Sequence, residues 1–88
     1  MCQMSYYRWM LPLADRFGKN LKKIRSKKGV SQFQLGIEIN CTEDTIANYE
    51  NGRRWPDVET IEALAMALDV DPEAFFSKLS FQDQEKAL

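Results

Sequence analysis

Hydrophobic residues recur at helical spacing in the first third of the chain. The apolar positions, at intervals of four, four and three residues, are Leu13, Phe17, Leu21 and Ile24. This spacing places side chains on one face of an α-helix. Pro12 suits the first turn of such a helix, and Gly29 suits the left-handed residue after its end. We therefore predict a first helix over residues 12–28.

Two short helices follow, each opened by a capping residue. Ser31 followed three residues later by Gln34 is the pattern of a capping box, and it predicts a second helix over 31–39. Thr42 is a suitable N-cap for a third helix, which the pattern predicts over 42–51.

The second half of the chain predicts two more helices. Asp57 is a suitable cap for a helix over Val58–Leu68, and Asp71 with Pro72 opens a short fifth helix. The apolar positions of these two helices are Ile61, Leu64, Ala65, Leu68, Phe75, Phe76 and Leu79. Since no segment alternates apolar and polar residues as a strand does, the fold class is predicted to be all-α.

Composition limits the domain count and the chemistry. A chain of 88 residues has room for one domain, which we place at 12–79 with an aromatic N-terminal extension, 1–11, and a tail, 80–88. The two cysteines do not make a disulfide scaffold or a zinc site, and the absence of histidine excludes histidine-based catalysis. We expect no cofactor, no metal, no membrane span, and a reduced cytoplasmic location.

Charge is distributed unevenly although the net charge is −1. Residues 1–30 hold eight basic residues and one acidic residue, whereas residues 31–88 hold four basic and twelve acidic ones. A basic first part suits contact with nucleic acid. A solvated, highly charged helix accounts for the same charges equally well.

The second and third helices have the spacing of a helix-turn-helix, in which the second helix of the motif enters the DNA major groove. Asn40 tolerates the left-handed conformation of the turn, and Gly36 allows close helix crossing. Cys41 and Ile46 are expected to be buried beside the third helix. The core is expected to include Ile24, Leu35, Ile46, Leu64 and Leu68.

Several polar side chains near this motif suit DNA. Gln32 carries amide donors beside a helix N-terminus, and Arg53 and Arg54 are fork-shaped donors for phosphate oxygens. Asn48 can pair with an adenine edge, and Thr45 can touch a base or a thymine methyl group.

Three segments together resemble the phage-repressor/Cro-type helix-turn-helix family, also called the XRE family. The segments are FGKNLKKIRSKKGVSQFQL, INCTEDTIANYENGRRWPD and VETIEALAMALDVDPEAFF, which cover about two-thirds of the chain. The resemblance implies a five-helix, lambda-repressor-like domain. It also implies a bacterial or phage protein that acts in the cytoplasm at the nucleoid. It also implies binding to double-stranded DNA, usually as a homodimer on a palindromic operator.

The resemblance also assigns residues. Base contacts fall on the exposed face of the third helix, at Thr42, Glu43, Asp44, Thr45 and Asn48. Phosphate contacts fall on Gln32, Asn51, Arg53 and Arg54. A partly buried ion pair between Arg25 and Glu50 is implied to hold the third helix in place.

Some residues have two interpretations. Glu43 and Asp44 can accept hydrogen bonds from cytosine N4, or can stabilise the helix N-terminus without touching DNA. Trp55 can contact DNA or a partner, or can pin its loop to the domain. The aromatic segment 4–11 can pack on its own domain or clasp a partner subunit. Phe33 and Ile37 are expected to leave an apolar strip on the second helix.

The leading function from the sequence is a small sequence-specific DNA-binding regulator, a prophage repressor or Cro-like protein. An antitoxin that binds a toxin and represses its own promoter is a close variant. An anti-repressor that acts only through protein contact is the alternative, favoured by the two acids and the apolar strip. No nucleophile–base pair or glycine-rich phosphate loop is present in the sequence, so an enzyme is not expected.

Overall fold

A computed structural model describes residues 13–77, and this part of the chain is helical with no β-strand. The elements are α1 (Leu13–Lys27), α2 (Gln32–Glu38), α3 (Glu43–Glu50), α4 (Val58–Leu68) and a 3-10 helix (Pro72–Phe76). The all-α prediction is confirmed. The predicted extension, 1–11, the predicted tail, 80–88, and the boundary residues Pro12 and Leu79 lie outside the described residues.

Side-chain caps begin three of the helices where the sequence predicts them. The Ser31 hydroxyl accepts from the Gln34 backbone N–H, and the Gln34 side chain accepts from the Ser31 N–H, both at 3.0 Å. Thr42 caps α3 by accepting from Thr45 at 3.2 Å, and Asp57 caps α4. Because these bonds satisfy orphan N–H groups of the first turn, each cap fixes where its helix starts.

Residues in the left-handed region end or separate the helices. Asn40, between α2 and α3, has φ 64°, and Gly29, after α1, has φ 73°. Both conformations follow the sequence prediction. Asp69 also has φ 58° at the end of α4, which the sequence did not suggest because aspartate adopts this conformation less readily than glycine.

The fifth predicted helix is a 3-10 helix of five residues rather than an α-helix. Asp71 makes no side-chain capping bond there. The chain leaves the helical conformation at Ser77, whose backbone is extended. The carbonyl oxygens of Phe75 and Ser77 instead accept from the Asn20 side chain of α1, at 2.9 and 2.8 Å. These bonds tie the 3-10 helix to α1.

The core lies among all five elements. Its buried apolar residues are Phe17, Leu21, Leu35, Ile46, Tyr49, Leu64, Ala65, Leu68 and Phe75. Four of the five residues predicted for the core are included, and Ile24 packs against it while only partly buried. Cys41 is half-buried, so the prediction that it is buried is wrong.

An aromatic cluster holds the loop between α3 and α4. The Phe17 ring lies 5.4 Å from that of Trp55 and 5.3 Å from that of Phe75, and Phe76 completes the group. Ring pairs at these separations add to the stabilisation from burial. Trp55 remains 47% exposed. Its ring therefore pins the loop to α1, as one of its two interpretations held, while one side stays open.

Close backbone contact sets the α2–α3 crossing. A Cβ added to Gly36 would lie 2.9 Å from the carbonyl oxygen of Cys41. This agrees with the prediction that a small residue permits the crossing.

Candidate nucleic-acid interface

The outward face of α3 carries three polar side chains in register. Asp44, Asn48 and Asn51 are spaced four and three residues apart, so they lie along one side of the helix. Asp44 and Asn51 are exposed and Asn48 is half-buried. Ile46, Tyr49 and Glu50 occupy the opposite, buried side. The α3 helix therefore anchors one side in the core and presents amide and carboxylate groups on the other.

The first turn of α3 contains the remaining residues assigned to base contact. Thr42 uses its hydroxyl as the helix cap, and the hydroxyls of Thr42 and Thr45 lie 2.9 Å apart. Glu43 is exposed, but its position is about 100° around the helix from Asp44. The two acids therefore do not face the same way.

One carbonyl group of α3 fastens both arginines of the following loop to the helix. The Asn48 carbonyl oxygen accepts backbone N–H groups from Arg53 at 3.0 Å and from Arg54 at 3.3 Å. Both arginine side chains are exposed. The backbone of both arginines is therefore held next to Asn48, the middle residue of the α3 outward face.

The ion pair implied by the resemblance is present. The Arg25 guanidinium donates to Glu50 through Nε at 2.5 Å and through Nη2 at 3.2 Å. Its Nη1 also donates to the Val30 carbonyl oxygen at 2.8 Å. The Glu50 side chain is 2% exposed. A bidentate pair of this kind joins α1 to the end of α3 and to the loop before α2.

Gln32 adds a bond to this pair that the sequence did not suggest. Its Nε2 donates to Glu50 Oε1 at 2.9 Å. The two residues are 18 positions apart, and no local pattern links them. The sequence assigned Gln32 to a phosphate only. We refer to Arg25, Gln32 and Glu50 as the Glu50 network.

The other side of α3 packs into the core. Tyr49 is buried there. Burial raises the pKa of Tyr49 above its ordinary value of 10.0, so the phenol stays neutral at physiological pH. Hydrogen bonds from Thr60 lower the pKa of Asp57 below 3.8. The Asp57 carboxylate that caps α4 is therefore stabilised in its ionised form.

Apolar side chains are exposed beside this face. Phe33 and Ile37 of α2 are 58% and 62% exposed, as the sequence predicted for an apolar strip. Within residues 13–77, no helix is long and apolar enough to cross a lipid bilayer. The same described residues hold no group of three side chains suited to a metal ion.

Comparison with known proteins places this geometry among regulators. Residues 16–75 match the family model described as a helix-turn-helix domain. The immunity repressor protein of Bacillus phage phi105 is 30% identical over 70 residues, which are 80% of this chain and 49% of the relative. The chain thus spans about half of that relative's length.

Two solved structures are also similar. The restriction-modification controller protein C.AhdI from Aeromonas hydrophila is 32% identical, with TM-score 0.69 over 72% of this chain and 96% of that chain. Bacillus thuringiensis PlcR, solved with the peptide PapR7 and DNA, is 29% identical, with TM-score 0.67 over 83% of this chain and 26% of PlcR. The matched domain, the α2–turn–α3 geometry and the resemblance to phage repressors agree: this chain belongs to the helix-turn-helix family.

Proposed function

We propose that this protein is a sequence-specific double-stranded DNA-binding regulator of transcription that acts as a repressor, with α3 in the major groove. The observation that carries the proposal is the fastening of Arg53 and Arg54 to the Asn48 carbonyl. It joins one candidate base-reading residue and two candidate phosphate-binding residues into one rigid unit.

Base reading is assigned to the outward face of α3. An eight-residue helix is about 12 Å long, and the major groove is about 12 Å wide. Asn48 pairs with adenine, and Asp44 accepts from cytosine N4 because it shares the face of Asn48. Thr42 and Thr45 contribute hydroxyl contacts at the helix start. Glu43 lies to one side and stabilises the helix N-terminus instead.

Phosphate binding is assigned to Asn51, at the C-terminal end of that face, and to the residues around it. Arg53 and Arg54 bind phosphate oxygens through their guanidinium groups, and Gln32 and Asn51 donate from their amides. The immunity repressor and the controller protein bear the names of regulators rather than enzymes. PlcR, whose fold this chain shares, was solved with DNA. These similarities support a regulator that acts on DNA.

A homodimer on an inverted repeat completes the proposal. Two copies related by a two-fold axis would read half-sites about one helical turn apart. The test is selection of duplexes from a randomised library by the purified protein at moderate salt. Enrichment of an inverted repeat supports the dimeric regulator. Enrichment of a single half-site keeps DNA binding and removes the dimer, and no enrichment by folded protein contradicts the proposal.

Variants assign the bases within an enriched site. Asp44→Asn should change the preferred base at one position of each half-site, because an amide both donates and accepts whereas a carboxylate only accepts. Glu43→Gln is the matched control and should leave the preferred sequence unchanged. A changed preference in the control alone would reverse the assignment of the two acids.

The exposed apolar strip favours a second candidate, which is an antitoxin or anti-repressor that acts through protein contact. Phe33 and Ile37 are both more than half exposed, and large apolar side chains exposed together mark interaction sites. Replacing Arg53 and Arg54 with glutamate separates the two candidates. A regulator loses its DNA binding, whereas a protein that works through α2 keeps its partner.

A further inference from the structure

We infer that Glu50 is a positioning residue for DNA binding: its carboxylate fixes the Gln32 amide so that one N–H group of the amide faces a DNA phosphate. This inference rests on the proposed function, because it describes how one of the phosphate contacts is made. Glu50 itself is buried and does not touch DNA.

The chemistry of the carboxylate decides which end of the amide faces it. An ionised carboxylate only accepts hydrogen bonds, so the nitrogen of Gln32, and not its oxygen, lies against Glu50 Oε1 at 2.9 Å. An amide nitrogen carries two N–H groups. One is engaged by Glu50, and the second remains as a donor whose direction is set by the first.

The carboxylate is itself held in one position. Arg25 donates to both of its oxygens, and the side chains of Arg25 and Glu50 are 12% and 2% exposed. Arg25 also bonds the Val30 carbonyl, two residues before Gln32. The Glu50 network therefore fixes both the backbone that leads into Gln32 and the amide at the end of its side chain.

Loss of the network would leave Gln32 free to rotate. A free glutamine also adopts orientations in which its carbonyl oxygen faces the phosphate, and two oxygens that both accept repel each other. Immobilising a side chain also weakens binding when the side chain is not already ordered. A pre-oriented amide avoids both penalties.

The test is a double-mutant cycle on the duplex enriched by selection. The variants are Gln32→Ala, the pair Arg25→Met with Glu50→Met, and the triple variant. Replacing both charges avoids the buried unpaired charge that a single replacement would leave. Gln32→Ala should weaken binding about tenfold, because hydrogen bonds to charged groups are among the stronger ones. The methionine pair should weaken binding similarly, and the triple variant should bind no more weakly than the pair.

The cycle contains an outcome that overturns the inference. If Gln32→Ala weakens binding as much in the methionine background as in the natural chain, Glu50 does not position the amide. Arg53→Ala is the matched control and should weaken binding equally in both backgrounds. The slope of affinity against salt should stay unchanged in Gln32→Ala, since no cationic side chain is removed.

NMR of the free natural protein supplies an independent measurement in case the methionine pair does not fold. One of the two Nε2 protons of Gln32 should be protected from solvent exchange before any DNA is added. Equal, fast exchange of both protons overturns the inference. If Arg53→Ala weakens binding and Gln32→Ala does not, only the inference fails. If no duplex is enriched at all, the proposed function is wrong and the inference falls with it.

Discussion

Gly18 in α1 packs directly against the backbone of Tyr49 in α3. A Cβ added to Gly18 would come within 2.6 Å of the Tyr49 carbonyl oxygen, and it would also clash with the carbonyl group of Glu50. These neighbours are backbone atoms, which cannot rotate away as side-chain ends can. The absence of a side chain on Gly18 therefore sets how closely α1 packs against α3.

Gly18→Ala should destabilise the protein by about 1–3 kcal/mol. Alanine is more favourable than glycine within a helix by about 1 kcal/mol. Without the clash, the substitution would therefore raise the free energy of unfolding. Urea unfolding measures the difference. Ser26→Ala, at an exposed position of α1, is the control and should change stability by less than about 0.5 kcal/mol. A stabilised Gly18→Ala variant would show that α1 and α3 separate without cost.

Asn20 should be essential for holding the 3-10 helix on α1. Its buried amide donates to the carbonyl oxygens of Phe75 and Ser77. Asn20→Ala should cost about 1–3 kcal/mol because two acceptors lose their donor. Thermal unfolding followed by circular dichroism checks the loss. Asn40→Gly is the control. Asn40 lies in an exposed turn in a left-handed conformation that glycine also adopts, so the midpoint of thermal unfolding should stay nearly unchanged.

Arg53 and Arg54 should each neutralise one DNA phosphate per subunit. Replacement of either with alanine should reduce the slope of log affinity against log salt by about 0.9 for each phosphate that is no longer neutralised. Titration of labelled duplex at several salt concentrations gives the slope. Lys19→Ala removes an exposed cation of α1 to which no DNA contact is assigned, and it should leave the slope unchanged. An identical slope in all variants would remove both arginines from the interface.

Acid should weaken the start of α4. Hydrogen bonds from Thr60 lower the pKa of Asp57 in the folded protein, so the folded state binds this proton less readily than the unfolded chain. The stability that Asp57 contributes is present above the unfolded pKa and is lost as pH falls through the folded pKa. Unfolding measured from about pH 6 to 2 should show this loss. Asp57→Asn keeps a neutral cap, so its free energy of unfolding should fall less steeply towards low pH. Parallel curves for the variant and the natural chain would show that Asp57 is not the source of the acid sensitivity.

Local signals in the sequence were sufficient for the helices. The caps Ser31, Thr42 and Asp57 and the left-handed residue Asn40 act on neighbours within a few positions. Their effect is readable without knowing the fold, and the predicted boundaries agree with the structure to within one residue for four helices. The fifth helix is of the 3-10 type, and its Phe75 carbonyl accepts from Asn20, more than fifty residues away, which no local signal indicates.

The candidate interface was likewise predictable from the sequence only in part. Helical spacing from the sequence already separates the buried side of α3 from its polar side, and the family resemblance paired Arg25 with Glu50. Neither indicated that Gln32 bonds Glu50, nor that the Asn48 carbonyl holds Arg53 and Arg54. Glutamine is a common residue at the start of a helix and does not by itself indicate a partner. A backbone carbonyl is present in every residue, so the residue type does not indicate which carbonyl will accept a bond.

By itself, the sequence determined the all-α class, the four α-helices with the caps of α2, α3 and α4, and the helix-turn-helix spacing, because these depend on periodicity and on contacts between near neighbours. Only the tertiary structure decided which polar groups meet across α1, α2 and α3. Gly18 against Tyr49 and Gln32 against Glu50 join residues far apart in the chain. Such pairs form only when helix packing brings the backbones together, and helix packing is set by the whole core rather than by any local segment.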